Sequence, residues 1–266
     1  MKIGVVMDPI ETINFKKDST LAMMLEAQRK GHEIFYITTN SLFIDSGIAF
    51  ASSSKVEVRD NPSDWFSLEE EMIIRLAELD SILMRQDPPF NSDYIYNTYV
   101  LEMAARQGVN IFNNPRSLRD CNEKVYATEF PQCCTKHLVT SRKDFLTDFV
   151  LENKDTVIKP LDGMGGASIF RVKANDPNLN VILETITDHF TEKVMIQEFI
   201  PEITEGDKRI LIVDGKPMSA SIARVPAEGE LRGNLAAGAS AVAKSLSDRD
   251  LWICEEVGPS LSLIHI

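Results

Sequence analysis

The chain has 266 residues, 28 basic against 40 acidic, and a formal net charge of −12. At roughly 100–200 residues per domain this is one large domain or two to three small ones. A content of 44% hydrophobic and 26% charged residues excludes a disordered chain, and the acidic balance makes a poor non-specific nucleic-acid binder while still allowing ATP on a few local cations.

No run approaches the roughly 18 apolar residues of a membrane span. The opening MKIGVVMDPIETI is too short and too acidic for a signal peptide. Residues 2–7 (KIGVVM), ended by Asp8-Pro9, predict a buried strand. Ser19 or Thr20 is expected to cap a helix carrying Leu21, Met24 and Leu25, which Gly31 closes. Strands follow at 33–37 (EIFYI) and 81–85 (SILMR), the second stopped by Asp87-Pro88-Pro89. Ile95, Tyr99 and Met103 mark one face of a helix ending at Gly108, and 109–112 (VNIF) is a further strand before the Asn113-Asn114-Pro115 turn. Strands alternating with helices predict a parallel sheet covered on both faces, an α/β domain up to about residue 115.

The pattern then changes. Residues 117–130 read as a helix, 156–160 (TVIKP) as a strand, 168–172 (SIFRV) as another, and 178–188 as a helix. Strands are expected at 193–201 and 207–213. Asp214-Gly215 signals a hairpin from which 216–224 pairs back. This half reads as antiparallel α+β. Ser247-Asp248-Arg249-Asp250 is a capping box opening a last helix to about Val257.

The strongest chemical signal is the run 159–168, KPLDGMGGAS. Gly163, Gly165 and Gly166 let backbone N–H groups converge on an anion. It is not a Walker A loop, because Ala167-Ser168 stands where Lys-Ser/Thr is needed. It is not a dinucleotide fingerprint, because a strand follows instead of a helix. A strand–loop–strand phosphate cover and a plain tight hairpin both remain open from the loop alone. Lys124 taken by itself reads as a solvated surface charge, although with Lys159 it forms a pair able to reach one polyphosphate. Gln197–Pro201 end an apolar strand that offers backbone groups to an adenine edge. Asp207 suits ribose hydroxyls, and Lys208 and Arg209 suit phosphates; a charged turn is the plainer alternative. Arg224, then Arg232 and Asn234 in a Gly/Ala-rich loop, suit an oxyanion or phosphate. Cys121, Cys133, Cys134 and Cys254 form no CxxC, and with His32, His137, His189 and His265 they complete no zinc spacing. The vicinal Cys133-Cys134 pair reads as two ordinary thiols of a reducing compartment.

In this order Lys124, KPLDGMGG (159–166), QEFIP (197–201), GDKR (206–209) and RGNLAAG (232–238) resemble the bacterial type of glutathione synthetase. The segments VMDPI, FKKDST, RQDPPF and NNPRSLRDCNEK resemble the same family, so the likeness runs from residue 1 to about 261. These are ATP-grasp carboxylate–amine ligases. The implied fold class is α/β plus α+β: an N-terminal parallel α/β domain (1–119), a central ATP-grasp lid domain (120–200) and a C-terminal ATP-grasp subdomain (201–266) that is incomplete. The implied reaction joins γ-glutamylcysteine and glycine through an acyl phosphate, giving glutathione, ADP and phosphate; the alternatives are an inactive, truncated nucleotide-binding form and an ATP-grasp ligase for other amino acids.

The resemblance also implies roles. Lys124, Lys159, Gly163, Gly165, Gly166, Ala167, Ser168, Lys208 and Arg209 would bind the ATP phosphates, Glu198, Phe199 and Ile200 the adenine, and Asp207 the ribose. Arg224, Arg232 and Asn234 would surround the reacting phosphoryl group, and Lys17, Asp18, Ser19 and Arg85 would hold the dipeptide. The cofactor implied is Mg²⁺, with Mn²⁺ as substitute, and ATP is a substrate. A cytoplasmic homo-oligomer with no nucleic-acid or membrane partner is expected. The family's metal ligands, an Asp and then a Glu and an Asn two apart, are expected beyond residue 266. The tail SLIHI does not resemble the family's continuation, Glu255 and Glu256 are no substitute by position, and Ala239 stands where the family usually has Gly.

Overall fold

The computed structural model describes residues 1–163, 165–213, 215–235 and 238–264. Expectations touching Met164, Asp214, Ala236, Ala237, His265 or Ile266 therefore lie outside the described residues. Among those described, no helix is long and apolar enough to cross a membrane. The chain divides into two compact units, one built chiefly of Met1–Asp120 and the other of Cys121–Leu263.

The first unit contains β1 (Lys2–Met7), α1 (Ser19–Arg29), β2 (Glu33–Thr38), β3 (Leu42–Asp45), β4 (Ile48–Val58), β5 (Phe66–Leu68), β6 (Met72–Arg75), β7 (Ser81–Met84), α2 (Ser92–Arg106), β8 (Asn110–Phe112) and α3 (Pro115–Asp120). β2, β1, β7 and β8 form the expected parallel ladder. β1, β2 and β7 are largely buried on both faces, which is why they read as apolar runs, whereas β8 buries only Ile111. Val6, Phe35, Ile37 and Ile82 pack with Leu101 and Ala104 of α2. Val5, Met7, Ile34 and Tyr36 pack with Leu21 and Met24 of α1.

Three expectations need correcting here. The sheet is mixed: β4 joins β2 antiparallel and carries β3, β5 and β6, in the order β3-β4-β2-β1-β7-β8. The cap of α1 is Asp18, whose Oδ1 accepts from the Leu21 N–H at 2.6 Å, and neither Ser19 nor Thr20. The buried face of α2 is Tyr94, Thr98, Leu101 and Ala104, one residue around the helix from the expected stripe. Tyr99 is exposed and holds the Arg119 guanidinium 4.5 Å from its ring.

The second unit contains β9 (His137–Thr140), α4 (Lys143–Asn153), β10 (Asp155–Pro160), β11 (Phe170–Lys173), α5 (Leu179–Ile186), β12 (Val194–Glu198), β13 (Asp207–Arg209), β14 (Ile212–Val213), β15 (Lys216–Pro217), β16 (Ala220–Val225), β17 (Ser240–Ser245) and α6 (Asp248–Ile264). One antiparallel sheet runs β11-β10-β12-β9, and a second runs β13-β16-β17. In the first, Ile158, Val172, Val194 and Ile196 bury one face against Leu146 and Val150 of α4 and Leu183 of α5. Period-2 alternation puts Val157, Lys159, Arg171 and Gln197 on the other face.

The expected capping box is present. Ser247 N–H donates to Asp250 Oδ2 at 2.7 Å, and Asp250 N–H donates to Ser247 Oγ at 3.2 Å. α6 continues past Val257 through Pro259. The long helix expected over 117–130 is broken. α3 ends at Asp120, and Asn122 Oδ1 accepts from the N–H groups of both Lys124 and Val125 at 3.0 Å, a local turn that competes with the helix ladder. The strand expected over 207–213 is also interrupted. Asp207 faces Arg224 in one sheet while Val213 faces Lys216 in a separate ribbon.

Candidate active site

The polar face of the β11-β10-β12-β9 sheet floors a cleft of about 570 Å³ within the second unit. Its walls include Val157, Ile169, Phe199, Ile200 and Ile203 on one side and the 229–234 loop on the other. Lys159 projects from β10 and donates to Gln197 Oε1 on β12 at 2.6 Å. Burial, and then the neighbouring Lys124 ammonium, hold its pKa below the ordinary lysine value.

Lys124 sits in the turn set by Asn122, not on a helix and not in solvent. Its side chain is only 12% exposed. It donates to the carbonyls of Gly163 at 2.8 Å and Leu161 at 3.2 Å and pairs with Glu123 at 2.8 Å. The Asn122 amide donates to the same Leu161 carbonyl at 3.2 Å. Two chain segments are thus clamped at the root of the Gly-rich loop. Gly165, Gly166 and Ser168 of that loop have φ of +67°, +85° and +55°, the left-handed region expected where N–H groups converge.

Gly166 is buried against the 232–234 loop: a Cβ there would lie 2.6 Å from Asn234 Oδ1 and 3.2 Å from Arg232 Cδ. Arg232 donates to the Gly166 carbonyl at 3.4 Å and pairs with Glu230 at 2.5 Å, which pulls the Glu230 pKa down to about 2. Asp207 holds Arg224 through a two-point pair, with Nε–Oδ1 at 2.8 Å. That hydrogen bond raises the Arg224 pKa.

Lys159, Phe199, Ile200, Asp207, Arg232 and Asn234 therefore line one cleft. Other expected residues point elsewhere. Lys208, on the opposite side of β13 from Asp207, pairs with Asp250 of α6. Arg209 is exposed. The Glu198 carboxylate accepts from Thr135 Oγ1 at 3.0 Å. Ala167 and Ser168 are exposed along the loop.

In the first unit, Arg85 follows β7 and reaches the start of α1. Its Nε donates to Thr20 Oγ1 at 3.0 Å and its Nη2 to Ser19 Oγ at 3.1 Å. Asp18 is occupied as the helix cap, and Lys17 is exposed beside it. Asp8 and Asp87 lie near, the Asp87 N–H donating to Asp8 Oδ2 at 2.7 Å. Burial, then the Asp8 charge, pushes the Asp87 pKa up. A guanidinium, two hydroxyls and a helix start form a cation-and-donor group suited to a carboxylate.

The pattern of the prokaryotic glutathione synthetase N-terminal domain matches residues 1–119, and that of its ATP-grasp domain matches residues 123–264. The glutathione synthetase of Vibrio parahaemolyticus is 53% identical over 261 residues, 98% of this chain and 83% of that protein. The chain belongs to the prokaryotic glutathione synthetase family. The Pseudomonas aeruginosa glutathione synthetase is 52% identical over 98% of this chain and 82% of its own length. Among solved structures, the D-cycloserine synthetase DcsG aligns with a TM-score of 0.64 at 13% identity, covering 98% of this chain and 82% of its own. The ATP-grasp ligase PsnB, complexed with a precursor peptide and AMPPNP, aligns at 0.58 and 17%, covering 98% and 80%. These two share the ATP-grasp fold.

Membership of this glutathione synthetase family makes the chain an ATP-dependent carboxylate–amine ligase. Several residues of the cleft escaped sequence reasoning. Arg171, Val157 and the Gln197 side chain share the sheet face with Lys159; the sequence pointed to Gln197 only through its backbone, and the alternation on β10 and β12 was the signal that could have found all three. Arg171 stacks 3.6 Å over the Phe199 ring while pairing with Asp155. The clamp of Asn122 on the Gly-rich loop left no sequence signal beyond its type. The family's reaction uses ATP with a divalent metal. Among the described residues no group of three or more His, Cys, Asp or Glu side chains is arranged to hold a metal ion, so these residues do not fit a protein-held metal.

Proposed function

We propose that the second-unit cleft binds ATP and drives a carboxylate–amine ligation. The chain joins γ-glutamylcysteine to glycine, giving glutathione, ADP and phosphate. What carries the reading is the meeting of Lys159, the Gly165–Gly166 bend and Arg232–Asn234 in one cleft, in a chain 53% identical to a glutathione synthetase. That identity tells against a ligase for other amino acids.

The chemistry needs what the cleft offers. A carboxylate and a triphosphate repel, so cations must neutralise both before attack. Lys159 and Lys124 draw the polyphosphate to the sheet, and the loop N–H groups close over it. Arg232 and Asn234 then face the phosphoryl group that the cysteinyl carboxylate attacks. An acyl phosphate hydrolyses in water, so the Gly163–Ser168 loop serves as its lid. The glycine amine displaces phosphate to form the amide. Val157, Ile169, Ile200 and Ile203 provide the adenine's apolar walls, and Asp207, steadied by Arg224, takes the ribose. Lys17, Asp18, Ser19 and Arg85 bind the dipeptide carboxylates. The metal accompanying ATP is Mg²⁺, replaceable by Mn²⁺. We place the lid part at 120–200, the clamp part at 201–266 and the N-terminal part at 1–119, in a cytoplasmic homo-oligomer.

The test is to supply ATP, γ-glutamylcysteine and glycine and to follow ADP, phosphate and glutathione together. Equal amounts of the three, lost when either amino substrate is omitted, are expected. Nucleotide binding with no tripeptide formed would refute the ligase reading.

A further inference from the structure

Two cysteines that the ligation does not use line the same compartment as the two lysines. Cys133 closes a 3-10 turn at Pro131–Cys133, and Cys134 follows it. With Lys124, Lys159, His137 and Met195 they border a cavity of about 240 Å³. Lys159, Gln197 and Ile200 line both this cavity and the larger cleft beside it. Cys134 is held as a thiol: its Sγ–H donates to the Ala127 carbonyl at 3.3 Å, and burial, then Cys133, raise its pKa against the opposing pull of Lys159. Both cysteines are half-buried and unbridged.

We infer that Cys133 is a covalent modification site for glutathione disulfide, and that the glutathionyl group it acquires displaces nucleotide from the lysines. The Cys133 thiol gives its proton to solvent, and the thiolate attacks one sulfur of the disulfide. That S–S bond breaks, a Cys133–glutathione S–S bond forms, and the other glutathione leaves as a thiolate that takes up a proton. One disulfide is consumed and one is made, so no further oxidant is needed.

Cys134 is badly placed to reverse the step by closing onto Cys133. Adjacent Cα atoms across a trans peptide are about 3.8 Å apart, short of the roughly 4.4–6.8 Å usual for a disulfide. The mixed disulfide therefore persists. The attached tripeptide carries two carboxylates, and the cations available to them on the cavity wall are Lys124 and Lys159. The group then competes for the charges assigned to the ATP phosphates. This part rests on the nucleotide reading above. The site of the adduct does not.

The experiment treats the full chain with glutathione disulfide, with and without a non-hydrolysable ATP analogue. The adduct is located by peptide mass spectrometry, and analogue binding is measured before treatment, after it, and after dithiothreitol. The adduct is expected on Cys133, forming at least tenfold more slowly with the analogue bound. Affinity should drop at least tenfold on modification and return on reduction. C133S should resist the adduct, and C134S should still take it, with melting curves confirming that both are folded. An adduct confined to Cys121 or Cys254, or none, overturns the assignment whether or not nucleotide binds. A Cys133 adduct on a chain that binds analogue equally well overturns the displacement. Failure of the untreated chain to bind analogue would count against the nucleotide reading and leave the mapping to decide the site.

Discussion

Replacing Gly166 by alanine separates the lid's backbone requirement from its contact with the facing loop. Gly165 and Gly166 both lie at positive φ, +67° and +85°, so an alanine at either carries about 1–2 kcal/mol of left-handed strain. Only Gly166 adds a collision. Among the described residues, a Cβ at Gly165 meets nothing within 4 Å, whereas one at Gly166 would lie 2.6 Å from Asn234 Oδ1, 3.0 Å from Asn234 Cγ and 3.2 Å from Arg232 Cδ. Ordinary contact distances require Asn234 to retreat by about 1 Å, a misplacement that costs on the order of 100-fold when it moves groups around a reacting centre. G166A is therefore expected to lose roughly 10–100-fold in kcat relative to G165A. The two melting temperatures should stay close, because the strain sits in one loop and is relieved locally. Coupled ADP release and thermal melts measure both quantities. N234A placed on G166A should add little further loss, since the two act through one contact. Equal kcat losses in G165A and G166A, or full additivity with N234A, would refute the reasoning and leave the loop a plain turn.

Further expectations follow from the cleft and the backbone. Lys159 has a lowered pKa through burial and the adjacent Lys124, and phosphate favours its charged form. ATP affinity should fall as pH rises through that lowered value, before the usual lysine range, while nucleotide-free stability rises across the same window because the unfolded chain binds more protons. K159R should flatten the binding profile and K159A should weaken binding at every pH, as read by calorimetry. Lys154 and His189 are exposed at φ of +66° and +56°, so Lys154→Gly and His189→Gly should each stabilise by about 1 kcal/mol in denaturant titrations. Gly233→Ala would set a Cβ 2.8 Å from Asp207 Oδ1 and 2.9 Å from the Arg224 carbonyl. It should cost about 2 kcal/mol of stability and raise KM for ATP by parting the Asp207–Arg224 pair.

The parts of the fold that were legible are those where one local cause dominates. β1, β2 and β7 are largely buried on both faces, so their apolar runs are nearly unbroken. The Ser247–Asp250 box declares its helix by hydrogen bonds within four residues. β4 was illegible because Ser52, Ser53 and Ser54 break its apolar pattern, yet Ser53 is buried with its hydroxyl donating to the Tyr36 carbonyl. The stripe on α2 was misjudged because Tyr99, the larger aromatic, serves Arg119 outside while Thr98 and Ala104 do the packing. Asp18 won the cap over Ser19 because a carboxylate reaches the Leu21 N–H one position earlier. The site divides in the same way. The glycines declare the bend, but which lysine touches the loop depends on long-range contacts. No spacing in the sequence announces that Asn122 turns the chain to bring Lys124 under Gly163.

That placement sets the division of labour between the two lysines. An ammonium has three donors, and those of Lys124 go to Gly163, Leu161 and Glu123. Glu123 is 76% exposed, and an exposed ion pair contributes about 0–1 kcal/mol, so it is the partner most cheaply given up to a phosphate. The Gly163 carbonyl bond, on a largely buried side chain, is costlier to break because it takes a donor from a part-buried acceptor, whereas the Leu161 carbonyl keeps the Asn122 amide. On the proposed ATP reading, Lys124 would meet the nucleotide with one donor while its other two hold the root of the Gly-rich loop. Among the described residues, Lys159 donates to Gln197 and to no carbonyl of the loop. Removing Lys159 strips charge from the phosphate site, whereas removing Lys124 strips charge and loosens the Gly-rich cover together. On the proposed ATP reading, K124A is therefore expected to lose more kcat than K159A, although Lys124 taken alone reads as a surface charge; an equal or smaller loss would refute this division.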